Sequence, residues 1–375
     1  MKVFFATDIH GSEICWRKFL NAAAFYKADM VVLGGDVTGK VMVPILAMPG
    51  HWEVTFANQR MRLETKAELD EIQRKIRDRG SYPAVMSPDE LDSLNEADGS
   101  IDRRFTLEMT RGLDRWLDMA DGKLRGGDIP CILNGGNDDI WEIDDIIEAS
   151  PSVSFAESKV LDIGGFSLAS MGWTNPTPWN TFREAPEDVL AEKIDAVVAS
   201  IPDMSRAVFN FHAPPYGTGL DEAPALDGNM RPTHGGAVMK PVGSKAVRAA
   251  IEKYEPALSV HGHIHESRGV TKLGRTLSMN PGSSYTDGVL QGAVLDRPVV
   301  DHTGLTGRFD FSLNWTPDDS QFAGMGAKIP PPPDSANAPP SLYTAIQEQI
   351  GLKLDATKAL ADVIVIDHVE KPSEN

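Results

Sequence analysis

Cysteine is scarce in this sequence: Cys15 and Cys131 are the only two in 375 residues. Two distant thiols exclude a disulfide framework and a thiolate metal site. Cys131 falls in the apolar run Ile129–Leu133, the setting of a buried structural thiol. Long hydrophobic runs are also missing. None approaches the roughly 20 residues a bilayer-spanning helix needs, so no membrane association is expected. The opening MKVFFATDIHG is short, apolar and ends in charge. It lacks the longer apolar stretch and small-residue cleavage site of a signal peptide, and reads as the first buried strand of a cytoplasmic protein. Positive charge is the third shortage: 36 Lys and Arg stand against 54 Asp and Glu, a formal net charge of −18. Such a surface repels polyanions, which argues against nucleic acid as a partner. A small anion drawn in by local cations remains compatible with it.

What is present is an alternation of strand-like and helix-like segments. Short apolar runs at Lys2–Thr7, Met30–Leu33, Ile129–Leu133, Phe166–Met171, Ala207–Phe211 and Leu258–Val260 end in Gly or polar residues. They read as core strands of an α/β sheet. Ser12 is placed to cap a helix running to about Tyr26. Between the second and third runs, Val41–Ala47 and Glu53–Phe56 suggest a hairpin. Three helical segments follow, with Ser87-Pro88-Asp89-Glu90 as a capping box. This insertion, about residues 58–125, is expected to be a helical cap on the main domain. The stretch 316–340 is rich in Pro, Gly, Asp and Ser and predicts an extended linker. Beyond it, Leu342–Ile350 looks helical and Val363–Val369 strand-like, a small appended module within 297–375.

Five polar clusters follow the strand-like runs: Asp8-Ile9-His10, Gly34-Gly35-Asp36, Gly136-Asn137-Asp138-Asp139, Phe211-His212-Ala213-Pro214 and His261-Gly262-His263-Ile264-His265. Sites in open α/β sheets form beyond the carboxyl ends of strands, so all five clusters can converge on one crevice. Carboxylate and imidazole together suit Mn, Fe, Zn or Ni. Asp8 and His10 alternate on one extended segment, so both reach one ion only if the strand end bends. Asp36 is the natural bridging carboxylate. His261 ends its strand and is expected to be a hydrogen-bonded structural residue.

The ordered set Asp-x-His, Gly-Asp, Gly-Asn-x-Asp, His, Gly-His-x-His resembles the calcineurin-like metallophosphoesterase superfamily over about residues 1–296. Trp173–Trp179, Pro214–Thr218 and Asn280–Ser283 extend the likeness to a prokaryotic branch of it. The resemblance implies a four-layer α/β/β/α sandwich with two mixed sheets. It implies two divalent metal ions, one held by Asp8, His10, Asp36 and His265, the other by Asp36, Asn137, His212 and His263. It further implies hydrolysis of a small phosphoester by a metal-bridging hydroxide, with Asn137 and His212 orienting phosphoryl oxygens. From about Arg297 onward, Gly304–Trp315 and Val363–Asn375 resemble a separate bacterial family of unknown function.

This sequence departs from the commonest pattern, Gly-Asn-His-Asp/Glu, in carrying Asp138 at the His position. An ionised Asp138 repels a dianionic monoester, which predicts a preference for phosphodiesters. A protonated Asp138 is instead a candidate acid, with His234 and His51 as alternatives. Asp139, His234, Asn175 and Tyr216 are candidates for outer-layer support or substrate contact, and Trp173 and Trp179 for pocket walls. Two competing readings stand beside the phosphoesterase. One is a nuclease of the same superfamily. The other is a phosphoesterase-fold scaffold that binds protein. The sequence leaves the oligomeric state open, a homo-oligomer included.

Overall fold

The computed structural model describes residues 2–96, 98–124, 129–296, 340–352 and 365–368. The apolar runs pair into two six-stranded mixed sheets. In the first, the spatial order is Val365–His368, Gly292–Asp296, Val3–Ala6, Met30–Leu33, Cys131–Leu133, Ser154–Phe155. The last four run parallel, and Gly292–Asp296 is antiparallel to its neighbours. The second sheet runs Gly269–Leu273, Thr276–Asn280, Leu258–Val260, Ala207–Phe211, Ser167–Met171, Lys159–Asp162. Its four central strands are parallel and both edges antiparallel.

The period-two alternation of strands assigns each residue a layer. Val3, Phe5, Met30, Val32 and Ile132 form one core with Leu168, Val208, Val260 and Met279 of the facing sheet. Their neighbours Phe4, Ala6, Val31 and Leu33 point outward, onto the helices Glu13–Tyr26, Ser100–Leu124 and Glu142–Glu148. On the far side, Ala169, Met171, Phe209 and Phe211 pack against Glu187–Val198 and Lys245–Tyr254. Helices, sheet, sheet, helices: the architecture is the four-layer α/β/β/α sandwich. Trp16 anchors the first outer layer. It is fully buried, stacks on Trp116 at 5.2 Å and donates its indole N–H to the Trp116 carbonyl at 3.0 Å.

Three sequence expectations change. The insertion is not a purely helical cap. Val41–Met48, His51–Phe56, Gln59–Leu63 and Ser81–Met86 make a four-stranded sheet. It packs on the helix Lys66–Asp78 through Val43, Ile45, Val54, Leu63, Leu69, Ile72 and Ile76. Gln59–Leu63 has only Met61 and Leu63 as apolar residues and Ser81–Met86 is short, so neither stands out from the helical segments beside it. Ser12 does not cap its helix with its side chain; its hydroxyl donates to the Asp78 carbonyl at 2.8 Å and ties the helix to the insertion. The tail is not wholly a separate module, because Val365–His368 adds an edge strand to the first sheet beside Gly292–Asp296. The helix Leu342–Ile350 forms as expected. The linker 316–340 lies outside the described residues except Pro340. No helix among the described residues is long and apolar enough to cross a membrane.

Candidate metal centre

Each polar cluster leaves the carboxyl end of a parallel strand, and at three of them the backbone bends sharply. Asp8, His10, Asp36 and His263 all adopt positive φ, between 39° and 67°. Side chains rarely take this left-handed region, and each such residue costs about 1–2 kcal/mol. The bend resolves the problem posed by Asp-x-His: with both residues left-handed, Asp8 and His10 turn to the same side.

The side chains they carry converge. Ligand atoms of Asp8, His10 and His265 lie within 4.8 Å of one another, as do those of Asp36, His212 and His263, and those of His10, Asp36 and Asp138. His10 Nε2 is 3.0 Å from His265 Nε2 and 3.5 Å from Asp36 Oδ2. His265 Nε2 is 3.3 Å from Asp8 Oδ1, and His212 Nε2 is 3.3 Å from Asp36 Oδ2. Asp8, His10, Asp36, Asn137 and His212 are buried. Asn137 gives its amide N–H to Thr181 Oγ1 at 2.8 Å, which leaves Oδ1 buried without a partner. His212 Nε2 is buried too and faces the Asp36 carboxylate. Buried polar atoms without partners are costly. The orphaned Asn137 oxygen, on a lining shared with Asp36, His263 and His265, fits a divalent cation.

A surrounding layer fixes these groups. Asp8 accepts from Thr7 Oγ1 at 2.7 Å and from the His263 backbone N–H at 3.1 Å. Asp36 Oδ1 accepts from the Asp138 N–H at 3.0 Å. His212 Nδ1 meets the Gly34 carbonyl at 3.0 Å, which turns Nε2 into the cluster. Asp139 is fully buried and accepts from the Val37 and Thr38 N–H groups, Thr38 Oγ1 and the Gly136 N–H, at 2.5–3.0 Å. It thereby binds the Asp36 loop to the Asn137 loop. His261 lies outside the cluster, its ring nitrogens engaged by the Phe211 carbonyl at 2.8 Å and Ser259 Oγ at 2.9 Å.

The electrostatics split the imidazoles. Burial disfavours charge on His212, but the Asp36 and Asp8 carboxylates outweigh it and raise its pKa to about 10. Burial prevails at His10, lowered to about 3, and at His263, lowered to about 4. Burial also raises the Asp8 and Asp36 carboxyls, yet His212 and the other imidazoles hold both well below the usual carboxylate range. Asp138 goes the other way. Burial first, then the Asp36 charge, push it up to about 7, against the pull of Lys40.

Asp36, Asn137, His263 and His265 floor a cleft of about 890 Å³. Asn175, Trp179 and Tyr216 line it, together with the segment carrying Ala223, Leu226, Met230 and Lys240. No described residue of the insertion from Val41 to Leu124 lines it, so the wall is this later loop. His51 sits at the insertion's hairpin turn, 3.2 Å from the Pro49 carbonyl and 3.5 Å from Glu53, and does not line the cleft. His234 belongs to the short 3-10 turn Thr233–Gly236; its side chain lies outside the described ones. Trp173 packs on Trp141 at 5.6 Å. Sequence reasoning misses two groups. Lys40 forms an ion pair with Asp138, and Tyr285 packs its ring 4.7 Å from His10. Lys40 stands only four residues after Asp36, but nothing in the spacing ties it to Asp138.

Known proteins add partial likenesses. A family described as "Protein of unknown function (DUF3738)" matches residues 230–369, beginning well before the Arg297 boundary expected for that likeness. The chain is 33% identical over 127 residues to the uncharacterised protein MJ1162 of Methanocaldococcus jannaschii, covering 33% of this chain and 52% of that one. It thus spans about half the length of the curated relative it matches. TT1561 of Thermus thermophilus superposes over 78% of this chain and 93% of its own, with 14% identity and a TM-score of 0.45. A structure described as a novel archaeal phosphodiesterase covers 79% of this chain and 93% of its own, at 11% identity and a TM-score of 0.31.

Proposed function

We propose that this chain is a metal-dependent phosphoric ester hydrolase of the calcineurin-like metallophosphoesterase type, acting on a phosphodiester in preference to a monoester. The observation that carries the reading is the clustering of Asp8, His10 and His265, and of Asp36, His212 and His263, beside a cleft lined by Asp36, Asn137, His263 and His265, with Asn137 Oδ1 buried and without a partner. The donors divide into two overlapping sets, Asp8, His10, Asp36 and His265, and Asp36, Asn137, His212 and His263. Their mix of carboxylate, imidazole and amide oxygen suits two ions among Mn, Fe, Zn and Ni. Such ions supply Lewis-acid charge and an activated water at neutral pH.

The protein's own groups position the rest. Asp139 locks the Asp36 and Asn137 loops together, so neither drifts as substrate enters. His212, fixed by Gly34, turns Nε2 toward Asp36 and Asp8, where it would ligate an ion. The diester preference draws support from the cleft, whose 890 Å³ extend from the cluster past Trp179 and Met230, room for two ester groups. Repulsion by Asp138 alone contributes less than the sequence suggests, because Lys40 pairs with that carboxylate. Turnover of bis-p-nitrophenyl phosphate and p-nitrophenyl phosphate by Mn²⁺-loaded protein tests the proposal. The diester is expected to be the better substrate. Asp36→Ala or His212→Ala leaving turnover unchanged defeats the metal-site reading.

A further inference from the structure

Lys40 is held more firmly than a half-exposed lysine needs to be. Its side chain is 48% exposed, yet every residue leading to it is tied down. Val37 and Thr38 bond Asp139. The Gly39 N–H donates to the hydroxyl of buried Tyr82 at 2.8 Å. A Cβ at Gly39 would overlap the Gly80 carbonyl, so the loop is pressed against the insertion with no slack. The lysine that emerges lines the cleft beside Asp36, Asn137 and Asp138. It stands at the edge of the cluster, partly open to the cleft. Its ammonium pairs with Asp138, whose own backbone N–H is bonded to Asp36.

We propose that Lys40 binds a non-bridging oxygen of the substrate phosphoryl group, and that Asp138, by sharing that cation, biases the cleft toward phosphate groups carrying one negative charge. This rests on the reading that phosphoric esters occupy the cleft. An ammonium with three donors can keep Asp138 and still offer an N–H to an anion. A carboxylate drawing on the same charge penalises a second negative charge on the ligand more than the first. Lys40 thus attracts the phosphoryl group, while Asp138 sets how much charge that group can carry.

Calorimetric binding of inorganic phosphate and dimethyl phosphate to the Mn²⁺-loaded protein at about pH 8 separates the two roles. Lys40→Gln is expected to weaken both ligands about tenfold or more, and Lys40→Arg to restore most of the loss, as for a charge-assisted hydrogen bond. Asp138→Asn is expected to strengthen inorganic phosphate relative to dimethyl phosphate by about fivefold or more. Affinities in Lys40→Gln within about twofold of the unaltered protein, or an Asp138→Asn ratio unchanged within about twofold, overturn the proposal. If binding behaves as expected but neither p-nitrophenyl ester is hydrolysed, the hydrolase reading fails and the assignment of Lys40 as a phosphate-binding residue stands.

Discussion

Loading the centre with a divalent ion must strip a proton from His212, which makes metal affinity steeply dependent on pH. In the metal-free protein His212 Nε2 lies 3.3 Å from Asp36 and 3.8 Å from Asp8, and its pKa stands at about 10. An imidazole ligand is neutral, so metal and proton compete for the same nitrogen. At pH 7 the proton sits about three pH units below its dissociation point, and displacing it costs about 4 kcal/mol. The apparent affinity of the Asp36, Asn137, His212 and His263 set should therefore rise about tenfold per pH unit between about pH 7 and 9. About one proton should leave for each ion bound there. Titration calorimetry of Mn²⁺ into metal-free protein, in buffers of different ionisation enthalpy, measures both quantities. The sign for stability follows the same shift. A histidine raised from 6.5 to about 10 contributes fully below the unfolded value, and that contribution is lost as pH climbs through the folded one. The metal-free protein should weaken across that window. An affinity flat with pH, together with no proton release, refutes the picture of His212 as an imidazolium awaiting a metal.

Three further perturbations have defined outcomes. Burial raises the Glu157 carboxyl from 4.5 to about 7, so the stability available below the unfolded value is lost as pH rises through that window, by up to about 3 kcal/mol. Glu157→Gln can still accept from the Gly172 N–H and should gain on the unaltered protein between pH 5 and 8 in urea denaturation; a constant offset at both ends sinks the argument. A Cβ at Gly262 would overlap Thr7 Oγ1 and Asp8 Oδ2, so Gly262→Ala should cost about 1–3 kcal/mol and weaken Mn²⁺ binding, both visible in thermal melts with and without metal. Trp16→Ala empties the stack on Trp116 and should cost about 3–5 kcal/mol by chemical denaturation without changing the metal affinity of protein that remains folded.

The strands at Met30–Leu33, Ala207–Phe211 and Leu258–Val260 are readable to the residue because burial on both faces leaves short, mostly apolar runs, broken only by Asn210 and Ser259, that stop at Gly34, His212 and His261. The site clusters were readable for a related reason: each begins where such a run stops. What stayed hidden depends on long-range pairing. The strand Gln59–Leu63 reads QRMRL, with a single apolar residue on its face before Leu63, and only its partner His51–Phe56 makes it a strand. Lys40 carries no signal of its own, because its meaning comes from Asp138, ninety-eight positions away. Nor does a string of letters reveal that Asp8 and His10 depart from extended backbone, although reaching a common ion required a bend.

That bend yields a test whose sign, and not only its size, is diagnostic. At an ordinary position Ala is the more stabilising replacement over Gly, by about 0.4–1 kcal/mol, because Gly leaves more freedom to the unfolded chain. Asp36 has φ of 49°, where a Cβ meets the neighbouring carbonyl and Gly does not. Asp36→Gly and Asp36→Ala both remove the carboxylate, both release His212 and His10 from it, and both lose any ion it would hold, so these effects cancel in the comparison. What is left is backbone strain of about 1–2 kcal/mol against an entropy term of at most about 1. Asp36→Gly should therefore be at least as stable as Asp36→Ala in metal-free protein, the reverse of the usual order. If Ala proves more stable by the ordinary margin, the Asp36 loop relaxes without its carboxylate, and the strain belongs to the contacts of Asp36 with Asp138 and His212, not to the chain itself.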